Sequence, residues 1–322
     1  MQRLFKRLVT AALVLASAHA YAQGYPARPV RIVVPFPPGG TVDVVARVVA
    51  QKLSEQLGHA FIVENKAGAN GTLGSDFVAK AAPDGYTLLV NASIHVINPL
   101  ILSRVPFDVV RDFTAISNIG SVPLLVTAHP SVPAANLREF IALARANPTK
   151  YTFATSGLGS AGHLSEETIK YEAKLDILIV PYKGAGPALA DLIGGQVSSM
   201  IDPMPSSYPL VKGGKLRPLA VTGAKRAAFL PDVATVAESG LPGFEMVSWY
   251  GMWGPANLPR EISNRLSTEV AKAVRSQLAT DRLADQGFDP VGSTPEQFVA
   301  YVNQEIAKYT KIVKDANIKV EP

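Results

Sequence analysis

A strand-like run, a glycine-rich turn and a helical pattern follow one another in this order four times along the chain. The clearest case is YTFATSGLGSAGHLSEETIKY at 151–171. The other three turns are PFPPGGTVD (35–43), NKAGANGTLG (65–74) and PYKGAGPALADL (181–192). This order leaves main-chain N–H groups at a helix start, where the helix dipole also favours negative charge. The pattern therefore predicts a protein that holds a small anion with its main chain.

Strands and helices alternate around these turns in two series. The first series has strands at Val30–Val34, Ala60–Glu64 and Tyr86–Asn91, and helices at Thr41–Leu57 and Gly71–Ala81. The second has strands at Leu124–Ala128, Tyr151–Ala154, Ile177–Val180 and Leu216–Val221, and helices at Leu137–Ala146 and Ala188–Gly194. Such alternation predicts an α/β fold with a parallel sheet and helices on both faces.

Two further helical patterns, Ile262–Leu278 and Pro295–Val313, have no strands of their own on which to pack. We therefore expect the chain to return to its first lobe, with crossings near 121–124 and 244–250. The expected lobes are 23–122 with 247–322, and 123–246. A chain of this length is long for one core, although a single large sheet is the alternative.

Residues 1–22 have the three parts of a secretory leader. Arg3, Lys6 and Arg7 are basic, 8–18 is apolar, and Ala20-Tyr21-Ala22 is a small-x-small cleavage site. The alternative, a membrane anchor, needs about 20 apolar residues. We predict cleavage after Ala22 and export to the periplasm.

Composition narrows the classes of partner and cofactor. The chain has no cysteine and five histidines, which argues against a structural zinc site. The formal charge of +5 falls to +2 once the three basic leader residues are removed. Without a block of basic residues, nucleic acid is excluded as a partner. No metal and no cofactor are expected.

One motif is compatible with an enzyme that binds a dinucleotide, but the signal is weak. Gly157–Gly162 reads G-x-G-x-x-G, but the acidic residue at the right distance, Asp176, precedes the next strand instead of ending it. No nucleophile elbow, phosphate-binding P-loop or H-E-x-x-H motif is present. His163, in the first turn of the following helix, is a candidate for ligand contact or for packing. A secreted enzyme that binds a phosphate or a dinucleotide here remains the alternative function.

Several long motifs together resemble one family. They are PVRIVVPFPPGGTVDVVAR, ENKAGANGTLG, AAPDGYTLL, ATSGLGSAGHL, VPYKGAGPALADLIGGQV and GKLRPLAVTGAKR. This chain resembles the Bug extracytoplasmic solute receptors, the substrate-binding components of tripartite tricarboxylate transport systems, over essentially its whole length after the leader.

The resemblance implies a two-lobed (type II) periplasmic binding protein fold, with two crossover strands and a ligand cleft between the lobes. It also implies capture of a small carboxylate, such as an amino acid, a dicarboxylate or an aromatic or pyridine carboxylate, without chemistry. The implied partners are the membrane components of a transporter, or alternatively a sensor system. We expect a monomer.

Carried onto this chain, the resemblance implies first-lobe contacts from two loops: Phe36, Pro38, Gly39, Gly40 and Thr41, and Ala69, Asn70 and Gly71. Phe36 is either an aromatic wall over the ligand or a cap on the core. Ser93 lies just past the third strand, at a carboxyl end of the sheet, where α/β sheets bind ligands.

The second lobe is expected to contribute Thr155, Ser156, Gly157 and Ser160, and then Lys183 and Gly184. The hydroxyls can instead be helix caps, and capping is compatible with anion binding because both use the same geometry. Lys183 either pairs with a carboxylate or stays solvated.

Asp202, in SSMIDPMP, carries the sharpest hypothesis. An ionised carboxylate that faces the cleft would require a hydrogen-bond donor on the ligand, which favours amino acids or nicotinate-like compounds over plain diacids. The alternative is that Asp202 caps the turn before Pro203.

Overall fold

The computed structural model describes residues 24–283 and 287–318, so the leader and its predicted cleavage site lie outside the described residues. The strands are β1 Val30–Val34, β2 Phe61–Asn65, β3 Thr87–Ala92, β4 Phe113–Ala128, β5 Thr152–Thr155, β6 Leu178–Pro181, β7 Ser199–Pro203, β8 Arg217–Val221, β9 Val247–Pro255 and β10 Asp289–Pro290. The helices are α1 Thr41–Leu57, α2 Thr72–Ala79, α3 Ile94–Ile101, α4 Leu137–Ala146, α5 Ala161–Glu172, α6 Ala185–Ile193, α7 Met204–Lys212, α8 Arg260–Val274, α9 Gln277–Leu283 and α10 Pro295–Asp315.

The first lobe is built on the parallel strands β2, β1 and β3. Val30 lies opposite Phe61 and Ile32 opposite Leu88, and the apolar side chains of β1 are buried. Burial on both faces is what a continuous Val/Ile run produces in a parallel sheet. The predicted strand–helix alternation in this part of the chain is therefore correct.

Strand β4 joins the two lobes because it changes partners along its length. From Phe113 to Pro123 it pairs with β9, and from Leu124 onward it pairs with β7 and β8. Strands β5 and β6 complete the second lobe, parallel to β7. The fold is the expected two-lobed α/β architecture. The predicted lobe limits stay a prediction.

The sheet is not wholly parallel, which corrects the expectation from the strand–helix alternation. Pairings of β9 with β3 and β4, and of β4 with β7, are antiparallel. The reason is the topology: β4 and β9 carry the chain between the lobes in opposite directions. The pairing is also continuous through β4, so the two lobes share one hydrogen-bonded sheet.

The C-terminal helices pack on the first lobe, as predicted. Helix α8 lies against β4 and α1, and α10 lies against β4 and α3. The indole Nε1 of Trp249 donates to Glu305 Oε2 at 3.0 Å and to the Tyr309 hydroxyl at 3.1 Å, which fixes α10 on β9. Among residues 24–283 and 287–318, no helix combines the length and the apolar character that a membrane span requires.

Candidate functional site

A cleft of about 540 Å³ is lined by residues of both lobes. Five helices begin on its wall, namely α1, α3, α5, α6 and α7. Most of the residues proposed from the sequence line it: Phe36, Pro38, Gly39, Gly40, Thr41, Ser93, Ser156, Gly157, Ser160, Lys183, Gly184 and Asp202. Because a helix N-terminus presents unpaired N–H groups and a positive dipole end, this wall favours an anion.

The loop before α1 leaves two N–H groups at the helix start without internal acceptors. Gly40 is extended and makes no side-chain cap, and the N–H groups of Thr41 and Val42 have no hydrogen-bond acceptor among the described residues. Gly39 has φ +90°, in the left-handed region that glycine adopts without strain. The loop can therefore donate to a ligand.

Asp43 fixes the conformation of this loop. Its Oδ2 accepts from the Gly39 N–H at 3.0 Å and from Arg47 Nε at 2.9 Å, and its Oδ1 accepts from Asn65 Nδ2 at 2.9 Å. Burial opposes ionisation, but hydrogen bonds from Arg47, Asn65 and Gly39 hold the pKa of Asp43 below its usual value. Asp43 is thus an anion whose charge is already compensated by Arg47.

The turn before α5 is ordered by its own side chains. Ser160 Oγ accepts from the His163 N–H at 3.1 Å, as an N-cap does, and His163 Nδ1 accepts from the Gly159 N–H at 3.1 Å. Burial, with a smaller contribution from Lys170, lowers the pKa of His163 to about 4, so its ring is neutral. His163 therefore has the loop-ordering role, and the N–H groups of Ala161 and Gly162 lack acceptors within the described residues.

Two glycines of the G-x-G-x-x-G motif serve packing. A methyl group on Gly162 would lie 2.1 Å from the Ile201 carbonyl of β7, and one on Gly159 would lie 2.2 Å from Ile101 of α3. The first contact lets α5 approach the sheet and the second lets the two lobes meet. The motif therefore has a structural explanation that involves no dinucleotide.

Four residues proposed from the sequence do not line the cleft: Ala69, Asn70, Gly71 and Thr155. Gly71 lies beneath the Phe36 ring, and a methyl group there would be 2.9 Å from it. Thr155 is fully buried, with its hydroxyl 3.4 Å from Ser160 Oγ. Ala69 lies in the exposed turn that precedes α2. The Phe36 ring therefore covers Gly71, Thr155 is buried behind the wall, and Ala69 is exposed away from the cleft lining.

Asn70 joins the two lobes beside the cleft. Its Nδ2 donates to the Leu158 carbonyl of the second lobe at 2.6 Å and to Asn98 Oδ1 at 2.8 Å. Asn98 Nδ2 returns a hydrogen bond to the Asn70 carbonyl at 3.0 Å. The bond to Leu158 is thus a direct hydrogen bond between the two lobes.

Phe36 combines the two roles that its sequence position left open. Its side chain is half-buried, lines the cleft and packs on the apolar core of the first lobe. Lys183 is exposed at the rim. The cleft wall is therefore apolar on one side, polar at the helix N-termini and poor in positive charge.

Two hydroxyls on the cleft wall are buried without a partner. Ser93 Oγ and the Tyr250 hydroxyl belong to residues that are 1% exposed, and neither has a hydrogen-bond partner within the described part of the chain. A buried hydroxyl normally finds a partner. Because both residues line the cleft, a bound molecule can supply one.

Sequence reasoning missed Tyr250, together with Ser248 and Ser206, which also line the cleft. Tyr250 lies in an aromatic-rich segment whose strand was not predicted. The available signal was the strand-like alternation of the segment: Trp249 and Trp253 lie on one face and are buried in the core, which places Tyr250 on the other face. Ser206 lies four residues after Asp202, one turn into α7.

Asp202 lies at the end of β7, where it is 1% exposed and faces the cleft. Its Oδ2 is hydrogen-bonded to Ser206 Oγ. Burial raises the pKa of Asp202 to about 7, against the opposing hydrogen bonds of Ser206 and Ser156. The carboxyl group therefore titrates near neutral pH, so the assumption of an ionised Asp202 is not required.

Comparison with known proteins gives consistent matches over nearly the whole chain. The family model for the tripartite tricarboxylate transporter family receptor matches residues 45–318. Protein BugT of Bordetella pertussis (strain Tohama I) is 36% identical over 307 residues, which is 95% of this chain and 94% of BugT.

Solved structures agree with these matches. R. palustris Rpa4515 with adipate is 40% identical with a TM-score of 0.88, covering 92% of this chain and 99% of that one. MatC from Rhodopseudomonas palustris with bound malate is 32% identical with a TM-score of 0.84, covering 90% of this chain and 100% of that one.

Proposed function

This chain belongs to the tripartite tricarboxylate transporter receptor family, and we propose that it captures a small carboxylate in its cleft by lobe closure. The family consists of periplasmic solute-binding receptors that serve transporters and do not catalyse reactions. The resemblance deduced from the sequence motifs is thereby confirmed, and the enzyme alternative is removed.

The observation that carries the assignment of the site is the convergence of helix N-termini from both lobes. N–H groups of Thr41 and Val42 from the first lobe, and of Ala161 and Gly162 from the second, reach one cleft without internal acceptors. A carboxylate there would gain several charge-assisted hydrogen bonds without needing a cationic side chain. Those bonds would form completely only after the lobes have closed.

The ligand class follows from the rest of the wall. Phe36, Ile94 and Leu189 offer apolar surface, and the Ser93 and Tyr250 hydroxyls offer a second polar point. This combination suits a small carboxylate with an apolar middle and a second polar group. Two similar receptors were solved with adipate and with malate. Adipate has an apolar chain between two carboxylates, and malate has two carboxylates and a hydroxyl group.

Closure without chemistry is the proposed mechanism. The ligand first meets one lobe, and the other swings in to complete its hydrogen bonds and exclude water. The hinge segments would be the two crossings, with lobes at 23–122 plus 247–322 and at 123–246. We further propose that the protein is a monomer, that its leader is cleaved after Ala22, and that the closed form is presented to a membrane transporter.

A calorimetric and thermal-shift screen of the leader-free protein against carboxylates tests this function. A ligand at 100 times its Kd adds about 2.7 kcal/mol of stability. We expect stabilisation by at least one of adipate, malate, glutamate, nicotinate and benzoate, and none by NAD or ATP. Stabilisation by the nucleotides alone would refute the proposal.

Two variants test the site itself. At Gly40 nothing lies within 4 Å of an added side chain, and at Gly157 only Asn70 Oδ1 does, at 3.4 Å. Gly40→Leu and Gly157→Leu should therefore fold normally but fill the cleft and abolish binding. Gly24→Leu, at an exposed glycine outside the cleft, is the matched control. Full affinity in both cleft variants would show that the ligand binds elsewhere.

A further inference from the structure

Asp202 is an acid on the cleft wall that lacks a compensating cation. Of the other charged residues on that wall, Asp43 is paired with Arg47 and Lys183 is exposed at the rim. Within the described ranges no basic side chain forms an ion pair with Asp202. A carboxylate bound at the helix N-termini would therefore share the cleft with a second carboxylate. Two such groups in one buried site do not both stay ionised.

The Ser206 hydroxyl supports a proton on Asp202 independently of the ligand. Ser206 Oγ contacts two acceptors, Asp202 Oδ2 and the Pro203 carbonyl at 2.8 Å. A hydroxyl group has one proton to donate. When that proton goes to the Pro203 carbonyl, the hydrogen bond to Asp202 needs a proton from the carboxyl group. A neutral Asp202 therefore satisfies both contacts.

We propose that the receptor takes up one proton with each carboxylate that it binds, and that Asp202 carries this proton. The inference rests on the proposed function and extends it to the class of ligand. The cleft then accepts carboxylates that bear no ammonium group, because a neutral Asp202 gives an ammonium group no counter-charge. An amino acid would instead bind to the ionised form.

The groups that face Asp202 are consistent with this role. Glu166 of α5 is fully buried, and burial together with the nearby Asp202 carboxylate, opposed by the Ile201 N–H, raises its pKa well above the usual value, which favours its neutral form. Tyr250 of β9 is neutral because burial raises the pKa of its hydroxyl. Ser206 Oγ lies within hydrogen-bonding distance of the Asp202 carboxyl group, and Lys183 is exposed. Asp202 is then the group that changes charge near neutral pH.

The size of the effect follows from the pKa of about 7 for Asp202 in the free receptor. At pH 8 the group is about nine-tenths ionised, so binding should take up close to one proton, and at pH 6 about a tenth of one. Carboxylate affinity should be level below pH 7. Above it, affinity should fall by up to about tenfold per pH unit.

Titration calorimetry counts these protons directly. Adipate and malate are titrated at pH 6 and pH 8, each in two buffers of different ionisation enthalpy, and the buffer dependence of the heat gives the number of protons. Asp202→Asn should show no uptake at pH 8 and an affinity independent of pH. Glu166→Gln, at the neighbouring buried acid, should keep the uptake of the wild type.

The outcomes separate this inference from the function on which it rests. Binding of adipate or malate without proton uptake at pH 8, or uptake that persists in Asp202→Asn, would overturn the inference and leave the receptor function standing. So would tighter binding of glutamate than of adipate or malate at pH 6, where Asp202 is mostly neutral. Binding of none of these carboxylates would overturn both. If Asp202→Asn does not fold, judged by circular dichroism, the pH dependence of the wild-type affinity decides.

Discussion

Removing the Asn70 side chain should weaken ligand binding, because it removes a hydrogen bond that joins the two lobes. Asn70 is the first-lobe residue whose amide reaches the Leu158 carbonyl of the second lobe. Its backbone has φ +56° and ψ +33°, a left-handed conformation that asparagine tolerates and glycine adopts freely. Asn70→Gly is therefore the variant that removes the amide and adds no backbone strain.

The magnitude comes from the hydrogen bonds that are lost. The variant removes two of them, to Leu158 and to Asn98. The bond to Asn98 lies within the first lobe, so its loss affects the open and closed forms alike and lowers the stability of the ligand-free protein by about 0.5–1.5 kcal/mol. The bond to Leu158 forms between the lobes, and in the open form the Leu158 carbonyl can bond to water, so this loss of about 0.5–1.5 kcal/mol falls on closure. Affinity should decrease by about 2- to 12-fold, at 1.4 kcal/mol per factor of ten.

The assay is calorimetric Kd measurement with a carboxylate that binds the wild type, together with chemical unfolding of the ligand-free protein. Asn136→Gly is the matched control. Asn136 Oδ1 caps α4 by accepting from the Glu139 N–H at 3.0 Å, far from the cleft. Glycine at a cap costs a few tenths of a kcal/mol. The control should therefore lose a little stability and no affinity.

The result that refutes this reasoning is an unchanged Kd in Asn70→Gly. It would mean that the hydrogen bond between the lobes is replaced by water at no cost, and that closure is driven by the ligand contacts alone. An equal loss of affinity in Asn136→Gly would show instead that global stability, not closure, controls binding.

Three further predictions test burial and charge in the described chain. Burial lowers the pKa of His95 to about 3, so the unfolded chain takes up a proton before the folded chain does, and the free energy of unfolding should fall by about 1.4 kcal/mol per pH unit between about pH 6.5 and pH 3. Urea unfolding of His95→Phe should show a pH dependence of the unfolding free energy that is smaller by that amount. An unchanged pH dependence would contradict the burial argument. Tyr250→Phe removes a hydroxyl that lacks a hydrogen-bond partner, so the unfolding free energy of the ligand-free protein should not fall. The Kd should rise by about 2- to 12-fold, which corresponds to the loss of a hydrogen bond of about 0.5–1.5 kcal/mol. An unchanged Kd would place the ligand away from this hydroxyl. Lys183→Met should raise the Kd less than about fivefold at low salt and should leave it unchanged at high salt, since an exposed ion pair contributes about 0–1 kcal/mol. A large loss of affinity that does not depend on salt would mean that Lys183 is desolvated on closure.

Local periodicity predicted those elements that have a strong apolar repeat and clear ends. Helices Thr41–Leu57 and Leu137–Ala146, and strand Val30–Val34, have the predicted bounds. The predicted helix Ile262–Leu278 is instead two helices, broken at Arg275–Ser276, where the Ser276 hydroxyl accepts from the Ala279 N–H at 3.3 Å. This break takes up only two residues, so the helical spacing of apolar residues continues across it and the sequence pattern does not show it.

Two helices that contain proline were missed. Helix α3 contains Pro99 and helix α7 contains Pro205 and Pro209, and a proline in a helical pattern usually indicates its end. The first half of β4 and the whole of β9 were missed because both are crossover strands. Each strand is stabilised by pairing with the other, which is distant in the sequence. A pattern read over a few neighbouring residues therefore does not reveal this pairing.

The sequence predicted the main-chain part of the site but not the ligand, and both results have the same cause. Glycine-rich turns before helices indicate free main-chain N–H donors. Twelve of the sixteen residues proposed on this basis and from the family resemblance line the cleft. N–H groups recognise a carboxylate whatever it is attached to, so discrimination falls to the few polar side chains on the wall. Of these, Ser93 and Asp202 were proposed from the sequence, whereas Tyr250 and Ser206 depend on β9 and α7, which were not predicted.

Asp202 shows how burial can reverse the chemical meaning of a residue. As an ionised aspartate, it would exclude plain diacids and require a donor on the ligand. Removed from water at the end of β7, with no cation beside it, its carboxyl titrates near pH 7 and becomes neutral beside an anion. The same side chain then tolerates a diacid and no longer selects an ammonium group. The preferred ligand class therefore depends on a protonation state that the tertiary structure sets and the residue type does not.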